Sequence, residues 1–181
     1  MGDRRTQKTK KAIRAAFLEL IKEKAIHRIT VAELSRQADL GRGTFYLHYQ
    51  DIYDLSEQIE DEFFDELGEI YDASFPESAP PDLSLLAETL TKYIASNEDI
   101  FLLLTNADNG GLALRKLNAL LNEKILKNAM PDTLSNYDTM ETVFIISGVI
   151  GVLEEWVQDG MKIPQNEIST ILHQILMKLW I

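Results

Sequence analysis

Apolar residues recur at three- and four-residue steps along nearly the whole chain, the spacing of one face of an α-helix. Ile13, Phe17, Leu20 and Ile21 mark a first helix over about residues 5–25. The pattern breaks at His27-Arg28-Ile29. Thr30, followed three residues later by Glu33, then has the form of a capping box opening a short helix over 31–38. Asp39-Leu40-Gly41 reads as a tight turn, with Gly41 supplying the conformations that other residues resist. A second short helix follows over 42–49. Asp51 is the expected N-cap of a long helix, 51–74, in which Ile52, Leu55, Ile59, Phe63, Leu67 and Ile70 form the apolar stripe. Three prolines within 76–81 end it, because proline cannot continue a helix. Further helices are expected at 83–96, 99–106, 111–129, 137–159 and 165–180, joined by segments rich in Gly, Pro, Asn and Asp. With no sustained alternation and no internal repeat, the fold class is all-α.

Charge first argues against one function and then for it. The 181 residues carry a formal net charge of −11, which disfavours a polyanionic partner. Residues 1–50, however, hold eleven basic and five acidic side chains, a net +6, which leaves −17 for the remainder. A basic head on an acidic body hints at nucleic-acid binding, and on charge alone a solvated basic helix face accounts for it equally well. The chain has no Cys, which excludes disulfides, a thiolate nucleophile and Cys-ligated zinc. Met1-Gly2-Asp3-Arg4-Arg5 leads into polar residues without an apolar run, so a cytoplasmic protein is expected.

Helix, capped short helix, turn and second short helix make the helix-turn-helix outline, whose second helix enters the major groove. Val31, Leu34, Leu40 and Phe45 are the expected small core beneath it. The exposed face of the second short helix would then offer Arg42, Gly43, Thr44, Tyr46, Leu47 and His48 to DNA. Arg42 suits a phosphate or a guanine edge, and Thr44 and Tyr46 carry hydroxyls suited to phosphate. Gly43, without a side chain, lets the backbone come close.

The run Thr30-Val31-Ala32-Glu33-Leu34 and then Ala38-Asp39-Leu40-Gly41-Arg42-Gly43-Thr44-Phe45-Tyr46-Leu47-His48-Tyr49 resembles the DNA-binding signature of TetR/AcrR-family transcriptional regulators. The resemblance implies that 42–48 is the recognition helix and that Tyr46, His48, Thr30 and residues near the start of the next helix contact phosphates. It also implies that Phe45 is core. This chain departs from the family pattern at two places. Gly41 stands where Ser is frequent, removing a side-chain cap, and Ile52 stands where Lys is common, removing one phosphate contact.

The resemblance further implies a C-terminal domain that binds a small-molecule effector and dimerises through its last two helices. The residues bear on the dimer directly. Val143 to Leu153 is an uncharged run too short to span a bilayer, which needs about 20 residues. A helix apolar all round is buried on more than one side. Gly148 and Gly151 would admit a close neighbour, and Ile168, Ile171, Leu172, Ile175, Leu176 and Leu179 give the final helix a broad stripe. Gly148, Gly151, Trp156, Gly160 and Pro164 together resemble a subgroup that includes activators of dihydroxyacetone kinase operons. Phe101, Leu102, Leu103, Phe144 and Trp156 serve equally well as the lining of an effector cavity or as ordinary core.

Catalysis finds no foothold. His27, His48 and His173 are dispersed without metal-ligand spacing. The dense acidic run from Glu57 to Glu69 reads as a solvated helix face. The sequence therefore points to a non-enzymatic regulator without cofactor or metal and with no membrane association. Residues 1–50 would form the DNA-binding domain, linked through 51–74, and 51–181 a helical ligand-binding and dimerisation domain. As a homodimer it would bind a palindromic double-stranded operator, most naturally as a repressor under effector control. The alternative is a co-activator answering to a protein partner.

Overall fold

In a computed structural model the described residues are 2–76, 80–105, 116, 119 and 135–179. They are helical, with no strand among them. The helices are α1 (Gly2–Glu23), α2 (Val31–Gln37), α3 (Arg42–Tyr46), α4 (Ile52–Ser74), α5 (Leu83–Ser96), α6 (Glu98–Thr105), α7 (Asn136–Gln158) and α8 (Gln165–Leu179), with a 3-10 turn at Ile26–Arg28. The expected helix over 111–129 lies outside the described residues, apart from Lys116 and Ala119, which are helical. The chain divides into two compact units, Met1–Phe63 and Phe64–Ile181.

In the first unit, Ile13, Ala16, Phe17 and Leu20 of α1 are buried, as are Leu34 of α2, Phe45 of α3, and Ile52, Leu55, Ile59 and Phe63 of α4. These are the positions that helical spacing brings to one face. Each element begins and ends for a local reason. Thr30 Oγ1 accepts the Glu33 N–H at 3.2 Å, a cap worth about 1 kcal/mol. The Glu33 carboxylate meets Lys24 Nζ at 2.6 Å, which fastens the start of α2 to the end of α1. Asp51 Oδ1 accepts from Tyr53 and Asp54 N–H at 2.8 and 2.9 Å, capping α4 as expected.

The turn after α2 corrects the expectation for Gly41. The left-handed residue is Asp39, at φ 53°. Leu40 N–H donates to Ser35 C=O at 2.8 Å and Asp39 N–H to Arg36 C=O at 3.2 Å, a Schellman closure of α2. Asp tolerates that conformation better than most non-glycine residues. Gly41 is extended, at φ −72° and ψ 145°, and serves as the N-cap of α3 without a side-chain bond.

In the second unit α5 packs on α8, α6 on α7, and α7 on α8. Its core draws Leu83, Ala87 and Ile94 from α5, Ile100, Phe101, Leu103 and Leu104 from α6, Ile146, Ile150, Leu153, Trp156 and Val157 from α7, and Ile168, Leu172 and Leu176 from α8. Trp156 Nε1 donates to the Ile163 carbonyl at 2.8 Å, tying the loop after α7 to its last turn. A second Schellman closure ends α7, with Gly160 at φ 73°.

The uncharged run of α7 is not buried all round within one chain. Ile146, Ile150 and Leu153 face the core, whereas Val143 and Phe144 are 37% and 66% exposed, as are Tyr137 and Met140 before the run, at 72% and 63%. A Cβ placed on Gly148 or Gly151 would meet nothing within 4 Å. Of the effector-lining candidates, Phe101, Leu103 and Trp156 belong to the core and Leu102 is half-buried, while Phe144 lies on the opposite, open face.

Candidate nucleic-acid interface

The second short helix is briefer than its apolar pattern predicts. It covers Arg42–Tyr46, and Leu47 follows at φ −73° and ψ −16°, which keeps the helical path for one more residue. His48 and Tyr49 leave the helix, and their N–H groups both donate to the Phe45 carbonyl, at 2.9 and 3.0 Å. Tyr49 turns inward because its ring packs against Phe45, with centroids 5.6 Å apart, and is buried in the unit's core. The helix therefore closes on a local i,i+4 contact between the Phe45 and Tyr49 rings.

Phe45 is wholly buried and holds α3 to the unit. Its neighbours on either side are turned outward. Arg42 and Gly43 are exposed, Thr44 and His48 half-buried, Tyr46 58% exposed and Leu47 79% exposed. A Cβ on Gly43 would meet nothing within 4 Å, so the absent side chain leaves bare backbone at the surface. Thr30, also exposed, precedes α2 and spends one lone pair on its cap. The expected contact residues of α3 thus share one short, outward-facing element, with Thr30 at the head of the neighbouring helix.

Ile52 is buried, so its side chain takes no part in this surface. The exposed side chain at the head of α4 is Tyr53, at 57%. The resemblance points to the start of this helix without singling out Tyr53. The available signal was its position next to the cap, one residue off the apolar stripe. Asp54 accepts from Gln50 N–H at 2.6 Å and from Gln58 Nε2 at 2.9 Å. These bonds hold its carboxyl below the ordinary carboxylate value, the Gln50 bond contributing most.

Many of the basic side chains of residues 1–50 are exposed. Arg4, Arg5, Lys8, Lys11, Arg28, Arg36 and Arg42 are exposed. Arg14 and Lys24 are instead engaged by Glu62 and Glu33, so part of the formal positive charge is structural. Among the described residues no group of three or more His, Asp and Glu is arranged to hold a metal ion. No described helix is long and apolar enough to cross a membrane.

The family described as bacterial regulatory proteins of the tetR family matches residues 13–59, and a transcriptional regulator C-terminal region of TetR type matches 82–178. An uncharacterised HTH-type transcriptional regulator of Bacillus subtilis (strain 168), YxbF, is 32% identical over 62 residues. That match spans 34% of this chain and only 16% of the relative's length. Among solved structures, a TetR-family regulator from Syntrophomonas wolfei has a TM-score of 0.71 at 16% identity, with 99% of this chain and 96% of that one covered. The dihydroxyacetone kinase operon activator DhaS has a TM-score of 0.58 at 18% identity, covering 95% of this chain and 94% of its own. At such identities the likeness is one of fold. Regulators of this family are DNA-binding transcription factors, not enzymes, and commonly act as dimers with small-molecule ligands. With its helix-turn-helix segment and its C-terminal region both matched, the chain belongs to the TetR family of transcriptional regulators.

Proposed function

We propose that the chain is a homodimeric repressor binding a palindromic operator through Thr30, Arg42, Gly43, Thr44, Tyr46, Leu47 and His48. The observation that carries this reading is the division within α3: Phe45 is sealed in the core while Arg42, Gly43, Tyr46 and Leu47 face outward. An element anchored by one side chain and exposing its neighbours suits insertion into a groove. The basic residues around it supply the phosphate attraction. On this reading residues 1–50 form the DNA-binding domain and 51–181 the effector and dimerisation domain. The site of action is the cytoplasm.

Support for the dimer comes from α7 and α8. Tyr137, Met140 and Phe144 leave an apolar face open, continued by the exposed backbone at Gly148 and Gly151. Met177, Ile175 and Leu179 expose apolar surface on α8 as well. Two copies would bury these faces together and set two recognition helices on two half-sites. A small-molecule effector in the C-terminal domain would bias the dimer between spacings that fit the operator and spacings that do not, the long α4 being the element common to both units. The alternative is a co-activator in which the same exposed face of α7 takes a protein partner.

Nuclease footprinting on the DNA upstream of the chain's own gene, paired with a reporter in a deletion strain, tests the proposal. A two-fold symmetric footprint and a reporter that rises on deletion are expected. A reporter that falls on deletion would favour the co-activator reading.

A further inference from the structure

Leu47 is the most exposed large apolar side chain among the described residues, at 79%. Nothing in the fold accounts for that. It follows the last turn of α3 in helical conformation, so it lies four residues beyond Gly43 on the same side. Gly43 contributes no side chain, and a Cβ there would meet nothing within 4 Å. Leu47 therefore stands at the end of a bare strip of backbone, flanked by the exposed Tyr46. The other large apolar side chains exposed in residues 4–63 are Tyr46 and Tyr53, and both end in a hydroxyl. A protein-docking patch would need several aliphatic neighbours, and this basic surface does not supply them.

The chemistry of a duplex narrows the counterpart. Phosphates are charged and base edges are mainly hydrogen-bonding groups, and the one methyl displayed in the major groove is the C5-methyl of thymine. We infer that Leu47 reads a thymine methyl in each half-site, so that sequence preference at that base pair rests on an apolar contact. This rests on the assignment of α3 as the recognition element and adds to it the identity of one base. The bare backbone at Gly43 is what lets the end of α3 come close enough for a leucine to touch the methyl.

The test uses a duplex selected from a random pool by the wild-type chain. Each thymine is replaced in turn by uracil, which removes only the C5-methyl. Loss of one buried methyl contact is expected to weaken binding about fourfold per half-site. One thymine per half-site should show this for the wild type, and Leu47→Ala should bind the thymine and uracil duplexes alike. Because Leu47 touches no core, Leu47→Ala keeps the fold, which circular dichroism checks. Equal wild-type affinity for every uracil duplex overturns the inference, as does a methyl effect that survives in Leu47→Ala. Failure of the wild type to select any duplex would instead overturn the assignment of α3 on which the inference stands.

Discussion

The Lys10 ammonium lies 5.6 Å from the centre of the Tyr49 ring, which in turn packs on Phe45. A basic residue of α1 thereby sits over the aromatic ring that packs on the buried anchor of α3. Removing that ring should cost more than removing the cation above it. Tyr49→Ala is expected to destabilise the chain by about 3 kcal/mol in urea unfolding, as other large-to-small core changes do. Lys10→Ala should cost about 0.5–1 kcal/mol, and nothing further in a Tyr49→Ala background.

Stability should fall at both ends of the pH range, for separate reasons. Asp54 is lowered by its bonds from Gln50 and Gln58, and Asp138 by two bonds from Ser135. A carboxyl lower in the folded state than its ordinary 3.8 stabilises above that value, and the contribution disappears as pH falls through the folded value. Tyr49 is raised above 10.0, first by burial and then by Glu62. It therefore stabilises below pH 10 and ceases to do so as pH rises through its folded value. Asp54→Asn with Asp138→Asn should flatten the acid limb of a pH-dependent unfolding series. The alkaline limb should be left as it was.

Two glycines should answer alanine substitution in opposite ways. Gly160 sits at φ 73°, where a side chain is strained whatever the space, so Gly160→Ala is expected to destabilise by about 1 kcal/mol. Gly43 has ordinary helical geometry and open space around it. Gly43→Ala should leave stability unchanged or raise it by up to about 1 kcal/mol, because alanine favours the helix. Its DNA affinity should nonetheless drop, since the new methyl holds the backbone away from the duplex. Thermal unfolding and a binding titration on the same preparations separate the two effects.

The exposed Phe144 supplies a test of assembly. Phe144→Glu places a charge in the face assigned to the second copy and leaves the chain's own core untouched. Sedimentation should show the dimer's dissociation constant raised at least about tenfold, consistent with loss of a large aromatic from an interface. An unchanged sedimentation coefficient at all concentrations would remove Phe144 from the interface.

How much of this was legible in the sequence depends on what sets each feature. The limits of α5 and the cap of α2 follow from residues within a few positions, and Asp82, Thr30 and Glu33 announce them. The end of α3 was not legible, because buried Phe45 and Tyr49 keep the four-residue spacing of one helix face, so the apolar pattern runs on past Tyr46, where the regular helix stops. Gly41 misled because glycine suggests a left-handed turn, whereas the Schellman closure put Asp39 there. Ser135 and Asp138 close a complete capping box on α7 that was passed over, since Asp rather than Glu fills the third position. The candidate contacts on α3 were readable as a group, but the difference between half-buried Thr44 and fully presented Leu47 needed the packing of Phe45.

DNA binding by the outward face of α3 underlies every other proposal made for this chain. It is tested most directly by titrating one labelled duplex, carrying the footprinted sequence, with the wild type and with Arg42→Ala/Tyr46→Ala at a single ionic strength. Both side chains are exposed, so the double variant should keep the wild-type fold and sedimentation coefficient. It should lose affinity by about a hundredfold or more, consistent with two lost polar contacts. Full affinity in the double variant would contradict DNA binding by this face.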